Sequence, residues 1–152
     1  MDINQLLHDH SNEIIEEACT TLKRIHLKRL EHAPPEQIHQ RVKGLFVLTA
    51  RGVKERNVGP LVAHAEHIAQ ERFKARYDLW EVQTAFNVLE EIIWARILKE
   101  LPPASFAEAL GLVSTVLGVG KDTLARSYVS LASNSKTPSL NFESLFSGTH
   151  GT

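Results

Sequence analysis

Eight histidines, two arginines one helical turn apart and a lone cysteine are the residues of this 152-residue chain that could do chemistry. Histidine raises metal binding first. A di-iron carboxylate bundle needs paired Glu-x-x-His motifs on two helices and two further glutamates. The chain has one such motif, Glu36 to His39, directly after a double proline. His64 and His67 stand three apart, and His67 and Glu71 four apart, so each pair shares a helix face. His64 sits between Leu61 and Ile68, close to an apolar face. It reads as a hydrogen-bonded, partly buried histidine, and His67 as a solvated one. No metal site and no cofactor are expected, with a haem- or metal-binding sensor as the runner-up. Cys19 has acids beside it and no histidine neighbour in sequence. Acids do not lower a thiol pKa, so it reads as a core or boundary residue. "GVGKDT" (118–123) has the composition of a phosphate loop but not its spacing. No pair of carboxylates is marked out as acid and base. Enzymatic activity is not expected.

The arginine pair is more informative. Arg72 lies four residues beyond Ile68 and three beyond Ala69, so it flanks an apolar face, and Arg76 follows one turn later. An arginine at a core margin is costly unless paired. An inter-helix salt bridge to Glu81, Glu90 or Glu91 is the structural expectation; a pocket or a partner surface is the functional one. Trp80 and Trp94 stand beside, not on, the stripe Val82, Phe86, Leu89, Ile93 and Ile97. Such tryptophans either meet another helix of the same chain or form a hot spot for a partner. Arg72, Arg76, Trp80, Trp94 and His64 are therefore the candidate ligand or partner contacts.

The elements that must position these residues are helical, and no strand pattern is visible. The first helix is expected from about residue 2 to 31, with Ile3, Leu6, Leu7, Ile14, Ala18, Leu22 and Ile25 as its stripe and His10 completing the period. Asp2 suits its N-cap. Pro34 and Pro35 end that helix and can open the next, about 35–55, which buries Ile38, Val42, Leu45 and Phe46. Pro60 starts a third, to about residue 76. Asp78 with Glu81 is a capping box, and Tyr77 with Val82 a hydrophobic staple. A fourth helix is thus expected from Leu79 to about Leu101, where Pro102 and Pro103 stop it.

A fifth helix, opening at Ser105, contains "ALGLVSTVLGVG" (109–120), which carries no charge. An uncharged helix is expected to be buried all round, at the centre of a bundle or in a dimer seam. Ala107, Gly111, Ser114 and Gly118 form a small-residue stripe spaced four, three and four, the candidate dimer interface. Gly118 and Gly120 are expected to break the helix before "KDTLARSYVSLAS". The fold class is all-α: a bundle of five to six helices over residues 1–133, a single domain, followed by a flexible tail at 134–152. Leu140, Phe142, Leu145 and Phe146 in that tail could dock on the bundle or on a partner.

Charge bounds the partners. The net charge is −1, yet residues 21–56 carry nine Lys or Arg and three acids. That stretch lacks the aromatic interleaving of a nucleic-acid surface, so nucleic acid is not an expected partner. The acidic start has no Lys or Arg within residues 1–20, unlike a secretory signal. No uncharged apolar run approaches the ~20 residues that span a bilayer, so no membrane partner is expected and the chain reads as cytoplasmic.

One stretch resembles a known family. Ala69, Arg72, Asp78-Leu79, Glu81-Val82, Phe86, Leu89 and Ile93 follow the pattern of the N-terminal helical domain of RsbRD-type co-antagonists of the bacterial stressosome, modules also found in front of sensor histidine kinases. The resemblance is firm over about residues 60–101 and weaker over 2–133. It implies an all-helical sensory or interaction domain, commonly a homodimer, without catalytic residues and with a regulatory protein or kinase as partner. Glu90 follows Leu89 where members of that family often carry arginine. No STAS-like segment or kinase follows in this sequence, so the chain is expected to act through a partner or to be a piece of a longer protein. The leading expectation is a non-catalytic bacterial stress-signalling domain acting through protein contacts; the alternative is a small-ligand sensor bundle.

Overall fold

The computed structural model describes residues 1–25, 27 and 29–136. Six α-helices follow one another: α1 (Ile3–Asp9), α2 (Ser11–Arg24), α3 (Pro35–Glu55), α4 (Gly59–Lys74), α5 (Leu79–Glu100) and α6 (Phe106–Lys136). Short 3-10 turns precede α3 and α6, at Leu30–His32 and Pro103–Ser105. No strand occurs among the described residues. α6 packs along α4 and α5; α2 packs on α5 and α3. The core between them holds Leu6, Ile14, Leu27, Leu61, Phe86, Leu89, Ile93, Ile97, Leu117 and Leu124, each almost wholly buried. Cys19 is buried among them, and burial pushes its thiol above the ordinary range.

The proline and turn signals place α3, α4 and α5 within two residues of expectation. The amino end differs. α1 and α2 are separated at His10, and α2 stops at Arg24 rather than near residue 31. Asp2 does cap α1, its carboxylate accepting from the Gln5 N–H at 2.8 Å. His10 does not complete the apolar period. Its ring lies 3.2 Å from the Glu13 carboxylate and 3.4 Å from Arg96 of α5, while Arg96 pairs with Glu13 at 2.6 Å. A polar knot, not a core contact, occupies that position. Hydrogen bonds from His10 and Arg96 hold the Glu13 carboxyl below its usual range. α2 ends because Ile25 turns extended (φ −87°, ψ 117°). The chain then drops Leu27 and Leu30 into the core, burying apolar surface that a continued helix would have pointed elsewhere.

α6 corrects two expectations. It runs unbroken through Gly118 and Gly120, for 31 residues. It is also buried on one side only: Ala109, Val113, Val116, Leu117, Leu124 and Tyr128 face the bundle, while Ala107, Gly111, Thr115 and Val129 are exposed. By length and composition alone, the stretch Pro103–Asn134 could cross a membrane. Close approach is needed at Gly120, where a methyl would stand 2.9 Å from the Phe86 ring and 3.2 Å from Leu61. At Gly111 and Gly118 a methyl would meet nothing within 4 Å. The helix continues to Lys136, so the first residues of the expected tail are helical; 137–152, with Leu140, Phe142, Leu145 and Phe146, lie outside the described residues.

Candidate functional site

The elements that bring polar side chains together inside the bundle are α3, α4 and the start of α5. α3 carries Arg41 one turn beyond Ile38, and α4 carries His64 and Arg72 beside Ile68. The α4–α5 turn supplies Tyr77, and the first turn of α5 supplies Glu81. These five residues stand around a cavity of about 110 Å³ whose remaining wall is mostly apolar: Leu22, Ile38, Leu45, Ile68, Val82 and Phe86.

Tyr77 organises one end. Its hydroxyl accepts from the Arg41 guanidinium at 2.9 Å. The guanidinium carbons of Arg41 and Arg72 lie 5.4 and 5.9 Å from its ring centroid, so one aromatic ring serves two cations. The Tyr77 carbonyl accepts from the Tyr128 hydroxyl of α6 at 3.0 Å, and Tyr128 packs edge-on against Phe73 at 5.6 Å. Burial pushes the Tyr128 phenol up to about 12. The α4–α5 turn is therefore tied to α6 from behind while its ring faces the cavity. Arg76, in the same turn, takes the left-handed conformation (φ 65°).

Arg72 is 8% exposed. Its ion-pair partner is Glu71, the preceding residue, and not a glutamate of α5 as the sequence suggested. Burial, then the nearby Arg41, depress the Arg72 pKa. A guanidinium stays protonated regardless, so Arg72 is a positive charge held in a largely buried position. Arg41 is half-buried and has no ion pair among the described residues.

Glu81 is 4% exposed, and its carboxylate does something the sequence did not announce. It accepts from the backbone N–H groups of Arg29 at 2.7 Å and Leu30 at 2.6 Å. It thereby holds the α2–α3 linker onto the start of α5. The Asp78 side chain makes no cap hydrogen bond, so the expected capping box is absent: Glu81 is drawn to donors that have no partner within a helix. Glu90, another of the three glutamates expected to pair with arginine, accepts instead from Lys121 of α6 at 3.3 Å.

Of the five candidate contacts, then, only His64 and Arg72 line the cavity. His64 is half-buried, and burial, followed by His67 and Arg72, lowers its pKa. Arg76 is exposed on a separate shallow groove with Phe73, Leu79 and Tyr128. Trp80 and Trp94 are 66% and 40% exposed on the outer face of α5, so Trp80 lies largely in water and Trp94 is partly covered by the chain. The small-residue stripe is also outward. Ala107 and Gly111 are exposed, Ser114 and Gly118 half-buried, beside a shallow groove with Gly52 and Val58 and near the Arg56–Glu108 pair at 3.3 Å. Sequence reasoning missed Arg41 and Tyr77 as site residues; the signal that could have found Arg41 is its place one turn from Ile38, the same flanking position that marked Arg72.

Among the described residues no group of three His, Cys, Asp or Glu side chains could hold a metal ion. The Glu36–His39 motif does not converge; His39 instead pairs with Glu16 of α2 at 3.0 Å. His67 faces Glu71 at 3.7 Å on the surface.

No curated protein and no solved structure matches the chain. Residues 9–130 match the family model of the RsbT co-antagonist protein rsbRD N-terminal domain, and the chain belongs to that family.

Proposed function

We propose that this rsbRD N-terminal domain is a non-catalytic, cytoplasmic signalling module of a bacterial stress response that works through protein contacts. Membership of a co-antagonist family supports the stress-signalling part. The observation that carries the protein-contact part is the outer face of α5. Trp80, Trp94 and Leu98 are 66%, 40% and 55% exposed there. At ~100° per residue all three project to one side of the helix. Large aromatics left in water on a well-packed bundle are what a partner buries. RsbT, the protein the family is named against, is the partner to test, and a homodimer through the stripe Ala107, Gly111, Ser114 and Gly118 is the assembly. An exposed, small-residue helix face supports that seam because it allows two backbones to approach closely.

Two measurements test this. Calorimetric titration with purified RsbT should show binding that Trp80→Ala with Trp94→Ala weakens by about tenfold or more, with helical content retained. Equal affinity in the double variant would remove the α5 face from the reading. Light scattering at micromolar concentration should give a dimer that Gly111→Glu converts to monomer; monomers in both cases would sink the dimer.

A further inference from the structure

The cavity between α3, α4 and α5 is unusual in its balance of charge. Its polar corner contains two guanidinium groups, and the one carboxylate in its wall among the described residues, Glu81, is already engaged by two backbone N–H groups. Glu81 is compensated further by its place in the first turn of α5, where the helix dipole favours negative charge. Arg72 is buried with a single, outward-lying partner in Glu71, whose side chain is 54% exposed, and Arg41 has no ion pair among the described residues. Arg72 is nearly enclosed and Arg41 half-buried, so the repulsion between the two like charges that share one tyrosine ring is only partly screened by water. An anion placed between them turns that repulsion into attraction on both sides.

We propose that this cavity is a binding site for a small organic carboxylate, its head between Arg41 and Arg72 and its apolar body among Ile38, Leu45, Val82 and Phe86. Guanidinium groups bind carboxylates through parallel N–H donors, and both arginines bring such donors to the same end of the space. The apolar wall selects the rest of the molecule. An inorganic anion fills the charged corner and leaves that wall unoccupied, whereas a hydrocarbon fills the wall and adds no counter-charge for Arg41. The volume of about 110 Å³ sets the scale. Engineered apolar cavities of ~150 Å³ take up benzene, so this one suits a body no larger than a benzene ring or a short alkyl chain. His64, neutral near pH 7 because its pKa is lowered, adds a ring nitrogen at the rim without adding charge. The site is independent of the α5 outer face, which lies away from it.

The test uses the full chain and four probes: benzoate, hexanoate, hexanol and sulfate, each titrated to millimolar concentration by calorimetry at neutral pH. Benzoate or hexanoate should bind saturably at one site, with hexanol and sulfate at least about tenfold weaker, the discrimination a charge-assisted hydrogen bond confers. Arg41→Met should weaken carboxylate binding by about tenfold or more. That variant leaves the buried Arg72 and its partner in place, so it remains informative if Arg72→Gln does not fold. Gly44→Leu should abolish binding: Gly44 lines the cavity, and a Cβ there meets nothing within 4 Å, so the added side chain enters free space. Circular dichroism confirms that both variants fold. Failure of both carboxylates to saturate, or equal affinity in wild type, Arg41→Met and Gly44→Leu, overturns the site. Hexanol binding as tightly as hexanoate overturns the anionic head, and sulfate binding as tightly as benzoate overturns the organic body.

Discussion

Phe86 stands between two regions built on opposite terms. On one side its ring presses on Gly120 of α6, and with Leu61 it leaves no room for a methyl group. On the other it lines a cavity that Gly44, Arg41, Arg72, Tyr77 and Glu81 share. Both regions share α4 and α5; the first adds Gly120 of α6 and the second Arg41 and Gly44 of α3. In the first, the residue with no side chain lets two helices touch. In the second, the residue with no side chain borders space that nothing fills. The cavity, with polar groups tied to three different backbone segments, is where the same bundle can respond to a molecule.

The largest effect is expected where the regions meet. Phe86→Ala removes a ring that is 1% exposed and joins the seam to the cavity, at a cost of about 3–5 kcal/mol in urea unfolding. A loss of under ~1.5 kcal/mol would mean that the seam is not close-packed. Next comes the cavity's own polar support. Glu81→Ala strands the Arg29 and Leu30 N–H groups and should cost about 2–4 kcal/mol. Hydrogen exchange should quicken at the Leu30 amide. Glu81→Gln, which keeps a carbonyl oxygen, should be milder; equal losses would show that charge rather than acceptance matters.

The same substitution at the two glycines then separates the regions by sign. Gly120→Ala gains helix propensity but drives a methyl into Phe86 and Leu61, both almost wholly buried, for a net loss of about 1–2 kcal/mol. Gly44→Ala meets nothing and should gain up to ~1 kcal/mol. Losses at both positions would erase the contrast. The smallest effect is pH-dependent. His64 has a lowered pKa in the folded chain, so the unfolded chain takes up the proton first. Its full contribution is present above the ordinary histidine value of 6.5 and is lost as pH falls through and below that value. His64→Gln should flatten the dependence of stability on pH in that window, and an unchanged slope would place the titration elsewhere.

How much of this was legible beforehand differs by element. Pro35, Pro60 and the Pro102–Pro103 pair act locally, so the starts of α3 and α4 and the end of α5 follow from neighbouring residues alone, whereas Asp78 stands at the start of α5 without a side-chain cap. α2 ends early for a reason no local signal carries: Leu27 and Leu30 find burial only after the helix stops. Gly118 and Gly120 read as helix breakers because their intrinsic cost is local, but the packing of Phe86 and Leu61 on Gly120 outweighs it. Of the cavity, Arg72 and His64 were visible through their positions beside an apolar face. Arg41 holds the same kind of flanking position beside Ile38, but its partner Tyr77 lies 36 positions away, and the Glu81 contact to Leu30 spans 51, so neither pairing was legible.

The sequence by itself determined an all-α chain, most of its helix limits and the faces those helices bury, because turn chemistry and the helical period are properties of near neighbours. Only the tertiary structure decided that Glu81 serves the linker instead of an arginine, that both tryptophans face outward, and that Arg41 and Arg72 share Tyr77. Burial of apolar surface is not directional. The period states that a face is buried, but which helix covers it, and hence which charges meet at its margin, is settled only when all six helices have packed.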